Sequence, residues 1–413
     1  MTVRDLSRVF DALTPGSLVF LPGTSGAPIA LLEALYAAPD RVQNVHFVSS
    51  APPELGEPDP TRLHKSCRLT SFFLSARSGA LPAQLRPSFL PLSYFCIDDW
   101  LATQPLDVAI MQLTPPDTRG RCSLGPCVEF SPTAFASAKY RIALINPQLP
   151  ILPRSQTVDL ADFNLQVDAD APLLTLPSAT AGKVDDRIAA HVATLIDDGD
   201  TLQFGIGRIP AQVLTRLCDR RRLRIHSGLV TEAVLALLDA GALDADAPIV
   251  CATAIGDTAF YERLRNLGDC IEVRPVAHTH HPLTLAGVPR LTAINSAIEV
   301  DLTGQCNAEQ VGHRVVSGPG GLPDFAAGAR RSAQGRSIIA LPSTDSSGTR
   351  SRIVAQLSRG VPATVPRTDA DIVVTEYGVA RLRGLPVDER ASALTAIAHP
   401  TFRDTLHSSG LTP

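Results

Sequence analysis

The sequence predicts an α/β fold made of two similar domains with mainly parallel sheets. Three observations lead to this prediction. Short apolar runs of β-forming residues alternate with helical patterns, the chain has 413 residues, and one strand–loop–helix pattern occurs twice. Alternating strands and helices favour parallel sheets, and a chain of this length usually forms about two or three domains.

The predicted elements are runs whose apolar residues follow strand or helix periodicity. The predicted strands are 17–21, 45–49, 106–113, 141–146, 201–204, 223–226, 248–252, 293–302, 337–341 and 371–375. The predicted helices include 29–37, 186–196, 210–217 and 231–239. In the second helix Ile188, Val192 and Leu195 share one face, and Gly199 follows soon after its end.

An internal repeat links segment 18–28 with segment 202–210. Each consists of a strand, a glycine-containing loop, a proline and the start of a helix, and Pro28 and Pro210 occupy equivalent places in the two copies. Repeated supersecondary units indicate related domains. Because the proline-containing stretch 150–184 has no clear periodicity, we expect an N-terminal domain over 1–184 and a C-terminal domain over 185–413.

A second pairing supports the repeat and points to one acidic residue. At a similar offset along the chain, segment 109–114 aligns with segment 298–303, and this alignment places Ile110 opposite Glu299. If the two domains share a scaffold, a charged residue present in only one copy is a candidate for the chemistry. The C-terminal domain therefore carries the candidate catalytic residue, Glu299.

Composition and charge exclude several classes of protein. The formal net charge is −4, so no general basic field attracts nucleic acid. No apolar run approaches the roughly 20 residues of a membrane span, and the start lacks the pattern of a secretory signal. Eight scattered cysteines are typical of reduced thiols. We expect a cytoplasmic enzyme that binds neither nucleic acid nor membranes.

Glu299 is one of two acidic residues in a predicted strand. Strand alternation places Ile298, Val300 and Leu302 on one face, and Glu299 and Asp301 on the other. Taken alone, this pattern is more typical of a half-buried strand whose acids face water. The neighbouring segments, however, favour a functional role for Glu299.

Three glycine turns follow predicted strands. Gly205 and Gly207 precede a predicted helix and can present backbone N–H groups to an anion or an oxyanion. The segment 316–325 is dense in glycine, which suits close approach of the backbone to a ligand, and Gly378 follows the strand 371–375. None of these turns is a dinucleotide fingerprint or a P-loop. Together with a carboxylate on a strand, they predict an active site.

No metal site is predicted. His278, His280 and His281 have no acids or cysteines at a spacing that completes a zinc site, so a polar loop is the better interpretation. Cys122 and Cys127 likewise have no second pair.

Several of these segments resemble one known family. The most specific matches are segments 296–309, 317–325, 337–344, 373–384 and 399–403. On these motifs the sequence resembles the acetyl-CoA hydrolase/transferase family of class I CoA transferases, the group that includes 4-hydroxybutyrate CoA-transferase. The resemblance extends over nearly the whole chain.

The resemblance implies a NagB/RpiA-like fold, with the active site between two α/β domains. It implies that Glu299 is the nucleophile, because this residue matches the glutamate of the family's Ile/Leu-Glu-Val/Ile-Asp motif. It also implies that Gly378 offers an oxyanion-hole N–H. By the same resemblance, the glycines of two turns would lie against CoA or the acyl group: Gly205, Gly207, Gly318, Gly320 and Gly321.

The implied activity is transfer of CoA between an acyl-CoA and a short-chain carboxylate such as acetate, butyrate or 4-hydroxybutyrate. A glutamyl-CoA thioester on Glu299 would carry it, so coenzyme A is both substrate and covalent intermediate, and no tightly bound cofactor is needed. A homodimer is expected from the resemblance. Two alternatives stay open: an acyl-CoA hydrolase that uses the same glutamate, and a non-catalytic CoA or metabolite sensor.

Overall fold

The computed structural model of the chain describes residues 6–53, 55–177 and 181–409. The strands in this part are β1 (Leu18–Leu21), β2 (His46–Ser49), β3 (Arg68–Ser71), β4 (Ser88–Phe89), β5 (Val108–Leu113), β6 (Arg121–Ser123), β7 (Tyr140–Ile145), β8 (Arg154–Ser155), β9 (Thr157–Asp159), β10 (Leu165–Asp168), β11 (Thr201–Phe204), β12 (Arg224–Ile225), β13 (Leu229–Val230), β14 (Ile249–Cys251), β15 (Thr253–Ala254), β16 (Ile271–Val273), β17 (Leu291–Asn295), β18 (Glu299–Asp301), β19 (Cys306–Asn307), β20 (Gln310–Val311), β21 (Arg314–Val315), β22 (Arg336–Ala340), β23 (Ile353–Val354), β24 (Ile372–Thr375) and β25 (Gly378–Arg381).

The α-helices are α1 (Ser7–Ala12), α2 (Ile29–Ala37), α3 (Ala76–Gly79), α4 (Tyr94–Ala102), α5 (Ser131–Ser137), α6 (Lys183–Ala193), α7 (Arg208–Thr215), α8 (Ala233–Asp239), α9 (Thr258–Leu264), α10 (Val276–Thr279), α11 (Pro282–Gly287), α12 (Leu322–Arg331), α13 (Val387–Ile397) and α14 (Pro400–Ser408). Short 3-10 turns lie at Thr24–Gly26, Pro39–Arg41, Leu160–Asp162 and Gly268–Cys270. None of the described helices has the length and apolar character that crossing a bilayer requires.

The chain divides into two compact units that are discontinuous in sequence. Unit 1 consists of Met1–Pro177, Val250–Thr279 and Val316–Gly320, and unit 2 consists of Ser178–Ile249, His280–Val315 and Gly321–Pro413. Two short segments that follow residue 184 therefore belong to unit 1. The linear division into 1–184 and 185–413 takes no account of such segments, and it stays a prediction.

Unit 1 is built on a parallel sheet. Over its described residues, seven strands lie in the order β10-β7-β5-β1-β2-β3-β4, and every neighbouring pair is parallel. All six residues of β5 are buried, as expected for a strand of a parallel sheet covered on both faces. Phe10 of α1 and Leu31 of α2 belong to the same apolar core as Ile110 of β5.

Unit 2 repeats this plan with one change at the sheet edge. Its described strands lie in the order β12-β11-β17-β22-β24-β25, parallel throughout except that β25 runs antiparallel to β24. Both copies of the predicted strand–loop–helix repeat are present, as β1 to α2 in unit 1 and as β11 to α7 in unit 2. The predicted fold class, two α/β domains with mainly parallel sheets, is confirmed.

The predicted strand over 293–302 is wrong. The chain forms two strands of different sheets there, since β17 ends at Asn295 and β18 begins at Glu299. The connection is anchored by Ser296, whose Oγ donates to the carbonyl of Ala340 at 2.7 Å. Apolar alternation alone does not reveal the break, because both strands bury apolar residues.

A buried carboxylate ties the strands of unit 2 together at their amino ends. Asp200 is fully buried, and it accepts hydrogen bonds from Arg290 at 2.8 Å and from Arg336 at 2.9 and 2.7 Å. These three residues immediately precede or begin β11, β17 and β22. A charge in such a site is tolerated because its partners satisfy it.

Replacing Asp200 with Asn should destabilise the protein by about 3 kcal/mol, because the isosteric change leaves two partly buried arginines without their main counter-charge. The midpoint of urea unfolding measures this loss. Glu33→Gln, which removes an exposed pair with Arg62, is the matched control and should change stability by less than about 0.5 kcal/mol. Equal midpoints for both variants would contradict the prediction.

Candidate active site

Glu299 is the first residue of β18 in a small three-stranded sheet of unit 2. This sheet has the order β19-β18-β23, with β19 antiparallel and β23 parallel to β18. Val300 is fully buried, so the alternating side chain of Glu299 points away from the core that Val300 joins, and it is half-buried. The carboxylate is thus neither fully solvated nor enclosed.

A buried amide holds the Glu299 carboxylate. Asn307, opposite Glu299 in the ladder, donates from Nδ2 to Glu299 Oε1 at 3.1 Å. The same amide donates to the carbonyl of Gln310 at 2.7 Å and accepts from the N–H groups of Glu309 and Gln310 at 3.0 Å. Asn307 is fully buried, and these four bonds leave its orientation little freedom.

Asp301, expected to face water beside Glu299, is buried. Its Oδ1 accepts from the N–H groups of Thr303 and Gln305 at 2.9 and 3.0 Å, and from the Thr303 hydroxyl at 2.7 Å. Its Oδ2 accepts from the Gln305 amide at 2.8 Å. Asp301 therefore organises the turn that returns the chain from Glu299 to Asn307.

The same turn occurs in unit 1. Asp117 Oδ1 accepts from the N–H groups of Arg119 and Arg121 at 2.8 and 2.9 Å, and these backbone bonds are the main reason that the pKa of Asp117 is lowered. Both copies have the pattern Asp-x-x-Gly-x-Cys, in segments 117–122 and 301–306. Their glycines, Gly120 and Gly304, both have positive φ, of 79° and 97°.

This repeat corrects the predicted register. With Asp117 aligned to Asp301, the counterpart of Glu299 is Pro115, and Ile110 instead lies in β5 of the large sheet. The bond from Thr114 N–H to the Ser123 carbonyl matches that from Ile298 N–H to the Asn307 carbonyl. The alignment of segment 109–114 with segment 298–303 is wrong, because it paired a strand of the large sheet with a strand of the small one. In the corrected alignment an acidic residue is still present in only one copy, with Glu299 in unit 2 and Pro115 in unit 1.

Three of the predicted site glycines, Gly207, Gly320 and Gly378, have backbone conformations that favour glycine. Gly207, at the start of α7, has φ of 129°, and no atom lies within 4 Å of the place that a Cβ would take. Gly378, at the start of β25, has φ of 143°. Gly205 lies in the same β11–α7 turn as Gly207.

Tight packing explains two glycines of the 316–325 segment. A Cβ on Gly318, in unit 1, would lie 2.0 Å from the carbonyl oxygen of Phe72. A Cβ on Gly321, in unit 2, would lie 2.7 Å from Nε2 of His280. Gly320, in unit 1, has φ of 56°. The predicted contacts of all five turn glycines with CoA or the acyl group stay predictions.

The histidine segment is not the polar loop that the sequence predicted. His278 lies in α10, and His281 caps α11 by accepting the Leu283 N–H at 3.2 Å. His280 is buried against Phe325, with ring centroids 4.8 Å apart, and burial, aided by the charge of His226, lowers the pKa of His280 to about 3. No group of three or more potential metal ligands exists in the described parts of the chain.

A buried polar cluster in unit 1 has no recognisable signature in the sequence. Glu129 is 2% exposed and has φ of 38°, and burial raises its pKa to about 8. Thr24 donates to its Oε1 at 3.4 Å, whereas Oε2 has no hydrogen-bond partner among the described residues. Thr24 also shares hydrogen bonds with Cys127 and Thr253, at 3.3 and 3.0 Å. Glu129 is one acidic residue within an apolar stretch, so strand or helix periodicity does not indicate a function for it.

Arg352 was also missed. It immediately precedes β23, and its carbonyl accepts the N–H of Val300 at 2.8 Å, so its backbone is bonded to the strand of Glu299. Its side chain is half-buried. In the sequence, Arg352 stands directly before the apolar pair Ile353 and Val354, and this position at a strand edge could have indicated it.

Comparison with known proteins shows consistent relatives. Residues 256–409 match the family model of the acetyl-CoA hydrolase/transferase C-terminal domain. The chain is 34% identical to the 4-hydroxybutyrate coenzyme A transferase of Clostridium kluyveri, over 92% of this chain and 90% of that protein. It is 30% identical to the succinyl-CoA:acetate/propanoyl-CoA:succinate CoA transferase of Fasciola hepatica, over 97% and 86% of the two chains. The solved 4-hydroxybutyrate CoA-transferase of Porphyromonas gingivalis has a TM-score of 0.81 at 30% identity, and covers 97% of this chain and 95% of that one.

Replacing Glu129 with Gln should change how stability depends on pH. Its pKa is raised from 4.5 to about 8, so its contribution is complete below about pH 4.5 and is lost as pH rises through about 8. Urea unfolding at pH 5 and pH 9 should show the variant gaining about 4 kcal/mol on the wild type across this interval. Glu262→Gln, an exposed change on α9, is the control. Parallel stability profiles for wild type and Glu129→Gln would disprove the assignment.

Proposed function

This chain belongs to the acetyl-CoA hydrolase/transferase family, and from that premise we propose that it is a CoA transferase whose nucleophile is Glu299. The names of the relatives describe transfer of CoA involving 4-hydroxybutyrate, or succinyl-CoA with acetate. The observation that carries the assignment is the half-buried Glu299 carboxylate, held at one oxygen by the buried amide of Asn307. Its substrates are an acyl-CoA and a short-chain carboxylic acid.

The chemistry follows from a fixed, accessible carboxylate. Glu299 attacks the acyl-CoA carbonyl, and the C–S bond breaks to leave an acyl-glutamyl anhydride and CoA thiolate. The thiolate attacks the glutamyl carbonyl, which releases the first carboxylate and leaves a glutamyl-CoA thioester. A second carboxylate reverses the two steps and departs as the new acyl-CoA. One thioester replaces another, so coenzyme A is substrate and covalent intermediate, and the sequence of steps consumes no ATP.

The other predicted residues have supporting roles in this proposal. An oxyanion forms when either carbonyl is attacked, and the backbone N–H of Gly378 is proposed to stabilise it. The positive φ of Gly378 supports that assignment, because it gives this position a backbone orientation that other residues rarely adopt. Gly205, Gly207, Gly318, Gly320 and Gly321 are proposed to contact CoA or the acyl group.

A hydrolase is the second candidate, and the name of the matching family model favours keeping it. Water would then attack the glutamyl thioester in place of the second acid, and the same glutamate would serve. The relatives are named as enzymes, which favours a transferase or a hydrolase over a CoA or metabolite sensor. The homodimer and the cytoplasmic location stay predictions.

Replacing Glu299 with Gln should abolish CoA transfer, with a fall of at least about 1,000-fold, because the amide is a poor nucleophile. Incubation with acyl-CoA, borohydride treatment and mass spectrometry should show a modified Glu299 in the wild type and none in the variant. Glu389→Gln, at an exposed position of α13, is the matched control and should retain activity. An active Glu299→Gln variant would overturn the proposal. Release of CoA without added acetate, at the rate seen with it, would favour the hydrolase.

Replacing Asn307 with Asp should slow formation of the glutamyl-CoA thioester by about 10- to 100-fold. The change removes the donor to Glu299 and adds a second carboxylate beside it, while the Oδ1 acceptor for the Glu309 and Gln310 N–H groups remains. Single-turnover labelling measures the rate, and a circular-dichroism spectrum like that of the wild type shows that the fold is retained. A variant as fast as the wild type would mean that Asn307 does not position Glu299.

A further inference from the structure

Arg352 immediately precedes β23, the strand that pairs with the strand of Glu299, β18. β18 and β23 are parallel, with Val300 opposite Ile353 and Asp301 opposite Val354. Val300 and Ile353 are both fully buried, so the residues before them, Glu299 and Arg352, extend towards the opposite face of this small sheet. Adjacent strands lie about 4.8 Å apart, and the N–H of Val300 donates to the carbonyl of Arg352 at 2.8 Å, so the backbones of Glu299 and Arg352 are close to each other.

The guanidinium of Arg352 has no direct counter-charge in the described residues. Burial lowers its pKa, and the charges of Asp345 and Glu376 oppose that effect. The oxygens of these two acids are engaged elsewhere. Asp345 accepts from the hydroxyl of Ser347 and from nearby backbone N–H groups. Glu376 accepts from the N–H and hydroxyl of Ser343, at 2.8 and 2.7 Å.

Other arginines of unit 2 differ from Arg352 in this respect. Each of the following forms an ion pair with a largely buried aspartate: Arg330 with Asp369 at 2.6 Å, Arg336 with Asp200 at 2.7 Å, and Arg383 with Asp371 at 2.7 Å. A partly desolvated cation without a partner is unfavourable unless a ligand supplies one. Arg352 therefore has the charge and the exposure to bind an anion beside Glu299.

The proposed reaction gives such a cation a role. Its second half brings a carboxylate to the glutamyl thioester, and its first half releases a carboxylate from the glutamyl anhydride, so an anionic acid must occupy the space beside residue 299. A guanidinium matches a carboxylate in shape and charge, and it remains protonated throughout. Asn307 engages the Glu299 side chain from the opposite neighbouring strand, β19, so Arg352 is free to face the acid.

We propose that Arg352 binds the carboxylate of the acid substrate that reacts at Glu299. The guanidinium holds one carboxylate oxygen, and the other oxygen attacks the thioester carbonyl. An O–C bond forms, the C–S bond breaks, and CoA departs as the thiolate with the electron pair. This assignment rests on the proposed function and extends it, since it locates the subsite for the acid rather than for CoA.

The test measures the two half-reactions separately in the purified chain. Acetyl-CoA loads Glu299, and the decay of the thioester is then followed against acetate concentration. Arg352→Met should raise the acetate concentration for half-maximal decay by about 10- to 100-fold, because a charged hydrogen-bonded pair is lost. The acetyl-CoA concentration for half-maximal loading should change by less than about threefold. Arg350→Met, an exposed change at a nearby position, is the matched control and should leave both values unchanged.

Arg352→Lys keeps the charge but loses the forked geometry, so it should raise the acetate requirement only severalfold. This variant decides the question if Arg352→Met does not fold. An acetate dependence equal to that of the wild type, in either folded variant, would overturn the assignment. Equal losses in the acetyl-CoA and acetate dependences would also overturn it, and would indicate a general role in positioning Glu299. Failure of the proposed function is distinct, because the wild type itself would then show no label on Glu299.

Discussion

The buried carboxylate of Asp301 is the constraint on which the candidate site depends. A buried acid must have its oxygens satisfied, and Asp301 satisfies them within its own turn, with Thr303 and Gln305. This turn reverses the chain so that Asn307 lies opposite Glu299. The amide can then hold the reacting carboxylate. Strand alternation would place Asp301 in water. In the structure, Asp301 instead organises the turn that supports Glu299, the residue that is proposed to react.

The two units show how one local structure serves different purposes. The turn of unit 1 has the same backbone bonds around Asp117 as the turn around Asp301, but Pro115 precedes it where unit 2 has Glu299. Proline has neither an ionisable group nor an N–H, so Pro115 cannot supply a nucleophile. The repeated turn is therefore a scaffold, and one substitution on it distinguishes the candidate site.

Some glycines are required because a Cβ would clash with a neighbour, and others because of their backbone conformation. The structure distinguishes these cases at several positions. Gly318 and Gly321 have no room for a Cβ, because the Phe72 carbonyl and the His280 ring lie where it would be. Gly207 has open space around the same position and a backbone conformation that other residues avoid. A glycine-rich motif in a sequence therefore mixes residues that face a neighbour with residues whose surroundings leave room for a ligand.

The sequence by itself determined the α/β fold class and most of the strands of the two large sheets, and it proposed Glu299 as the nucleophile, because strand and helix periodicity and the family motifs are local signals. It did not determine the break at 296–298, the burial of Asp301 and His280, or the register of the repeat, because these depend on which sheet each strand joins. Only the tertiary structure brought β19, which contains Asn307, and β23, which Arg352 precedes, to either side of the strand of Glu299. Strand pairing joins residues that are distant in sequence, and no periodicity encodes it.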